Sequence, residues 1–403
     1  MRILTPTAMK RLVIVTLLLA PMLCLAQTGK PQADLVIQKV LTQLEKIKQV
    51  NYQQTREMRY FADNYQNRTS ADIYIDFTAG GPLGLRFQGD NGQSVVVYNG
   101  QTLLYLKKED KTIDSSTART AKSMQSNSYL FHSLAMVRTM LHVVLSNDSL
   151  HRTVSDTLIN GKPYFQLRIE GDQMYFQLLG GLEHYSNPNL RRPYYLIIDK
   201  ATYLPYQLVA KLIRGTDDRD YITVTYDRIN TKPDVPSVAS WDYATYTATY
   251  KPYVAPVKIP IVKPGTLLAD FTLPNYTPTG IDSVSLNKYK GKIVLVDFWF
   301  KSCGPCMEAM PKYNELQNQF RKEGFELLTV NVEDPVEDIK FFYNKHQPVY
   351  KMLYNGGKLW SGLGFTACPS SVLVDQSGKV VEAIYGFNKE ELSKKIAALI
   401  KKD

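Results

Sequence analysis

Residues 293–306 read IVLVDFWFKSCGPC, and this stretch decides how the rest of the chain is understood. Six apolar residues in the seven positions from Ile293 to Trp299, interrupted only by Asp297, describe a strand covered on both faces, as in a parallel sheet. Two cysteines three residues apart follow at once. The next segment, with Met307, Met310, Tyr313 and Leu316 at helical spacing, predicts a helix. A strand that hands over to a helix through Cys303-Gly304-Pro305-Cys306 places the first sulfur at the helix N-terminus. Unpaired amide N–H groups and the helix dipole favour a thiolate there. Pro305 suits the first turn, where its missing N–H is not needed. Cys306, one turn on, is placed to attack a mixed disulfide formed on Cys303. The competing assignment, half of a zinc site, needs two further ligands, and the nearest candidates are the lone His346 and Cys368.

Outward from that core, the chain of 403 residues allows two or three domains. Its 44% hydrophobic and 21% charged residues are ordinary globular usage, which excludes a mainly disordered or collagen-like chain. Residues 1–26 read as a secretory signal peptide. Arg2, Lys10 and Arg11 precede an apolar run, and Cys24-Leu25-Ala26 ends it with small residues at the cleavage positions. Its removal lowers the formal net charge from +10 to +7. The excess is spread singly along strands and so reads as a solvated surface rather than a nucleic-acid stripe. The expected location is the periplasm or cell envelope. Three cysteines then remain, all in the C-terminal third, so no disulfide framework holds the chain together.

Residues 27–250 carry 19 of the 27 tyrosines and alternate as strands do. Asp34 is placed to cap a first helix with apolar positions Leu35, Val36, Val40, Leu41, Leu44 and Ile47. A second helix is expected over Tyr129–Leu145, carrying His132 and His142. Asn99-Gly100 marks a hairpin. Residues 251–264 hold prolines at 252, 256, 260 and 264 and read as an extended linker. Residues 265–403 alternate strands and helices. The acidic group Glu333, Asp334, Glu337 and Asp338 reads as the dipole-favoured start of a helix after Pro335.

Two resemblances sharpen this. Residues 267–317, LLADFTLPNYTPTGIDSVSLNKYKGKIVLVDFWFKSCGPCMEAMPKYNELQ, together with ACPSSVLVD at 367–375 and VVEAI at 380–384, resemble the thioredoxin-like domain of the TlpA/ResA class, also called the AhpC/TSA-type redoxin fold. The resemblance implies Cys303 as exposed nucleophile, Cys306 as resolving thiol, Pro369 as the cis-proline facing the disulfide, and Asp297 as the buried acid that exchanges a proton with Cys306. Trp299, Gly304, Pro305, Cys368 and Pro369 are then the candidates for shaping the substrate groove. No metal and no cofactor beyond the redox-active disulfide Cys303–Cys306 is implied. Ser302 stands where thioredoxins carry tryptophan, and Ala309 where ResA-type reductases carry a glutamate. A peroxiredoxin reading would want proline and threonine where Val296 and Phe300 stand. Cys368 is either a small apolar filler or a third redox thiol.

The second resemblance covers residues 30–245. VVVYNGQTLLYL at 95–106 and YYLIIDKATYLPYQLV at 194–209 resemble the LolA-like half-barrel of envelope lipoprotein carriers, which implies an antiparallel sheet with helices on its concave face and an apolar ligand held there. The expected molecule is therefore two-domain: a LolA-like antiparallel β half-barrel followed by an α/β thioredoxin fold. Its expected activity is exported thiol-disulfide exchange, most simply reduction of disulfide-containing envelope proteins with electrons from a membrane thiol donor. The alternatives are an envelope lipid- or lipoprotein-binding protein with an accessory redox domain, and a redox-gated sensor or chaperone.

Overall fold

The computed structural model describes residues 29–117, 120, 124, 129–185, 187–254 and 261–401. The expected signal peptide, residues 1–26, lies outside the described residues. No helix among those described is long and apolar enough to cross a membrane.

Two large sheets organise the chain. The first has thirteen strands and is not closed into a barrel. Its long centre is Gln49–Tyr60 paired antiparallel with Tyr65–Asp76 on one side and with Asp217–Asn230 on the other. Successive hairpins extend it one way to Thr112–Thr117. The other way it runs through Pro205–Arg214, Tyr194–Asp199 and Lys162–Glu170 to His151–Ile159. The Asn99-Gly100 turn joins Ser94–Tyr98 to Thr102–Lys107 as its sequence requires, with Gly100 at φ 102°.

Because strand side chains alternate, Val50, Tyr52, Ile73, Ile75, Val224 and Leu196 fall on one face, and all are buried. Two helices fill that face. Lys30–Lys46 buries Ala33, Val36, Ile37, Val40, Leu41 and Leu44, and Leu134–Ser146 buries nearly every apolar residue it has. Each buried Leu, Ile or Val contributes about 1.5–3 kcal/mol relative to an exposed one.

Three expectations need correction in this half. The first helix begins four residues before Asp34, after Gly29, with Pro31 in its first turn. Asp34 therefore caps nothing. It forms a forked pair with the buried Arg152, at 2.5 and 3.2 Å. The second helix starts only at Leu134, where the Ser133 hydroxyl accepts from the Met136 amide at 3.2 Å. His132 precedes that helix in a left-handed conformation (φ 60°) and is buried. Finally, the proline-rich segment is tied down at both ends. Lys251–Pro252 adds a short parallel strand beside Thr112–Thr117, and the Val262 amide donates to the Leu363 carbonyl at 3.0 Å.

The second sheet has seven strands in the order Gly280–Ser285, Thr272–Thr277, Lys351–Leu353, Phe325–Asn331, Ile293–Trp299, Ser370–Val374, Val380–Tyr385. Ile293–Trp299 runs parallel to Phe325–Asn331 and antiparallel to Ser370–Val374. All seven of its residues are buried, because helices cover both faces. Leu295 and Trp299 point to the side of helix Gly304–Phe320, while Val294, Val296 and Phe298 point to the other. This is the thioredoxin-like architecture.

Hydrogen bonds join the two halves at the tip of the first long hairpin. The tip of the first long hairpin carries a short 3-10 turn, Phe61–Asp63, followed by Asn64. Asn64 donates to the Asp338 carboxylate at 2.8 Å. The Lys345 ammonium donates to the Ala62 carbonyl and lies 3.4 Å from Asp63. Both Asp338 and Lys345 belong to helix Val336–His346 of the second sheet.

Candidate active site

Trp299 ends its strand, Cys303 caps the helix Gly304–Phe320, and three residues lie between them. The cap geometry follows from the residues. Cys303 has extended backbone, its sulfur accepts from the Cys306 amide at 3.2 Å, and its carbonyl accepts from the Met307 amide at 3.1 Å. Pro305 occupies the first turn. Cys303 and Cys306 are joined as a disulfide with Cα atoms 5.2 Å apart. Cys306 has no exposed surface and Cys303 retains 5%, so the expected exposed nucleophile offers only a narrow face in this oxidised state. Ser302, Gly304 and Pro305 around it are exposed.

The alternation that turns Leu295 and Trp299 toward the helix also turns Asp297 that way, into a fully buried position. There the Tyr313 hydroxyl donates to Asp297 Oδ2 at 2.5 Å, while Oδ1 has no partner. Burial raises the Asp297 carboxyl to about 7, and the Tyr313 bond only partly opposes this. A group that titrates near neutrality inside an otherwise apolar core is suited to proton exchange.

Cys368 and Pro369 lie on the segment entering the strand Ser370–Val374, and the peptide bond between them is cis. Pro369 is buried and Cys368 partly so. The Cys368 thiol is pushed up to about 12, by burial first and by the nearby Asp297 charge second. Asp297, Tyr313 and Cys368 therefore sit within each other's electrostatic reach.

Trp299 does not line a groove. It is fully buried and meets Phe342 edge to face at 5.3 Å. An indole at the end of a strand covered on both faces has no route to solvent, so its contribution is to packing. Truncation to alanine would cost about 3–5 kcal/mol.

The structure adds residues that sequence reasoning passed over. The Lys301 amide donates to Asp334 at 2.6 Å, and its ammonium pairs with Asp338 at 2.5 Å. Asn331 completes the set by donating to Asp334 at 2.7 Å. The acidic helix start expected after Pro335 is present, with Glu337 and Asp338 in the first turn, and Asp334 and Asp338 are in addition buried holders of the loop that carries Cys303. Tyr313 appeared in the sequence only as part of an apolar face. Among the described residues, no group of three His, Cys, Asp or Glu side chains is arranged to hold a metal ion.

Comparison with known proteins agrees with this geometry. Residues 264–383 match the AhpC/TSA family. The thiol-disulfide oxidoreductase ResA of Bacillus anthracis is 31% identical over 121 residues, which is 29% of this chain and 70% of that protein. ResA of Bacillus thuringiensis is equally similar, at 31% over the same shares. Among solved structures, a thiol:disulfide interchange protein DsbE from Chlorobium tepidum is 30% identical, covering 34% of this chain and 99% of that one with a TM-score of 0.32. Through its C-terminal third, the chain belongs to the TlpA/ResA-type thiol-disulfide oxidoreductases.

Proposed function

We propose that the chain is an exported reductase of disulfide-containing envelope proteins, with Cys303–Cys306 as its redox couple. The observation that carries this reading is the position of Cys303 as helix cap. Its sulfur faces the Cys306 amide, which would stabilise a thiolate by hydrogen bond and dipole. In the reduced protein the Cys303 thiolate attacks a client disulfide, forming a mixed disulfide and releasing one client thiolate. Cys306 gives its proton to Asp297 and attacks the Cys303 sulfur. The second client thiolate leaves, and Cys303–Cys306 is left oxidised by two electrons. A dithiol donor, most simply a thiol protein in the membrane, returns those electrons.

Export rests on residues 1–26. The reducing direction rests on the Gly304-Pro305 dipeptide, which thioredoxins also carry between their cysteines. Gly304, Pro305, Cys368 and Pro369 remain the proposed groove, whereas Trp299 is withdrawn from it. The LolA-like reading of residues 30–245 likewise stands as a proposal. It is supported by an open antiparallel sheet with two helices on one face, but those helices fill the space an acyl chain would need there.

Insulin reduction with dithiothreitol tests the assignment. Cys303→Ser should abolish it, and unchanged turnover would remove the reading. Cys306→Ala should accumulate mixed disulfides on Cys303, which identifies the clients. A measured reduction potential well above that of glutathione would reverse the proposed direction.

A further inference from the structure

The large sheet carries two arginines, Arg56 and Arg192, that no carboxylate among the described residues answers. Tyr52, Gln54 and Arg56 alternate onto the inner face of Gln49–Tyr60, where Arg56 lies opposite Val224. Arg192, two residues before the buried Tyr194, reaches the same face, and His132 approaches it from the turn ahead of helix Leu134–Ser146. The Nε atoms of Arg56 and Arg192 and both ring nitrogens of His132 are buried without a hydrogen-bond partner. Other arginines of this sheet are matched. Arg214 holds Asp63 and Asp220, Arg152 holds Asp34, and Arg191, the neighbour of Arg192, holds Glu170. Among the described residues, neither Arg56 nor Arg192 forms an ion pair with a carboxylate.

What surrounds these groups is aromatic. The Arg56 guanidinium lies over Phe131 at 5.4 Å and that of Arg192 over Tyr185 at 5.9 Å, while Phe131 and His132 are in ring contact at 4.3 Å. Stacking fixes each guanidinium by its face and leaves its N–H edge for an acceptor. Arg192 also hydrogen-bonds the Tyr194 hydroxyl. The three cationic or cationisable groups lie close enough to repel one another. Burial holds His132 well below its ordinary value, and the fields of Arg56 and Arg192 lower it further. Desolvated like charges without a counter-ion are unfavourable, and a bound anion removes the penalty. Both arginines are only half-buried, so an anion can enter from solvent.

We propose that Arg56, Arg192 and His132 form a binding site for a phosphate-type oxyanion on the inner face of the large sheet. The site is independent of the thiol chemistry. Its phosphate could be free or the headgroup of a phospholipid, and the experiment separates these sources.

Full-length protein in phosphate-free buffer is titrated calorimetrically with inorganic phosphate. In parallel it is sedimented with vesicles of phosphatidylcholine alone or mixed with phosphatidylglycerol. Binding of inorganic phosphate identifies a free anion. Binding only to the phosphatidylglycerol vesicles identifies a headgroup. In either case Arg56→Gln combined with Arg192→Gln should weaken binding at least tenfold, while Arg68→Gln, at an exposed arginine, should leave it unchanged. Without phosphate, the double variant should keep its insulin reduction, since neither arginine touches the Cys303–Cys306 site. The proposal is overturned if neither probe binds, if the double variant binds as tightly as the parent, or if Arg68→Gln weakens binding equally.

Discussion

The Tyr313 hydroxyl stands 2.5 Å from the carboxylate of Asp297, in a core from which both side chains are shut off from water. Among the described residues it is the one side-chain hydrogen bond to this acid, and the second carboxylate oxygen has none. The pair sets both the pH response of the site and part of the stability of the domain.

Asp297 makes folding less favourable as pH rises. A carboxyl raised to about 7 in the folded state binds its proton more tightly there than in the unfolded chain, where its value is near 3.8. Its support for folding is therefore complete only below the unfolded value and is lost as pH climbs through about 7. The ceiling on this loss is roughly 4 kcal/mol. Asp297→Asn should unfold at a higher urea midpoint than the parent at pH 8, with the gap narrowing as pH falls toward 5, both proteins being kept oxidised. The same variant should reduce insulin at least tenfold more slowly, since the proton acceptor for Cys306 is gone.

Tyr313→Phe acts in the opposite sense on the acid. Removing a hydrogen bond to the charged form lets burial raise Asp297 further. The pH midpoint of insulin reduction should move upward relative to the parent, by half a unit or more. A profile that stays in place would show that Asp297 does not govern the rate.

Cys368 should be silent toward alkylation. Its thiol is pushed up to about 12, so at pH 8 very little is thiolate. Reduced protein treated briefly with iodoacetamide should carry the label on Cys303, with Cys368 reacting at least a hundredfold more slowly by peptide mapping. Cys368→Val should keep insulin reduction within about threefold of the parent. A Cys303–Cys368 or Cys306–Cys368 disulfide on oxidation would contradict this and restore the sensor reading.

Asp34→Ala should cost about 2–3 kcal/mol in urea unfolding, because Arg152 keeps its buried position and loses its carboxylate. A change below about 0.5 kcal/mol would mean that the carbonyls of Asn147 and Leu150 suffice for the guanidinium.

What could be read in advance followed from local chemistry. The apolar run Ile293–Trp299 specified a strand covered on both faces, and the sulfur spacing placed the helix start. Asn99-Gly100 specified its turn. The strand Gln49–Tyr60, the centre of the large sheet, was not legible. Its sequence QVNYQQTREMRY lacks apolar alternation because Gln54 and Arg56 occupy inward positions. Asp34 looked like a cap because its partner lies 118 residues away. The acidic helix start after Pro335 was legible, but the pairing of Asp334 and Asp338 with Lys301, and of Asp338 with Asn64 274 residues away, was not. Trp299 is expected to shape the groove beside Cys303, but adjacency in sequence says nothing about depth, and the side chain is fully buried.

The contact of Asn64 with Asp338 has a consequence for reach as well as reactivity. Asp338 also grips Lys301, two residues from Cys303, so the hairpin tip is moored a single side chain away from the loop that presents the sulfur. The catalytic third is thus berthed against its neighbour, not swinging on a string of prolines. A client docking on Cys303 has that hairpin at its flank, and its outline, no less than its disulfide, enters into whether it can come alongside.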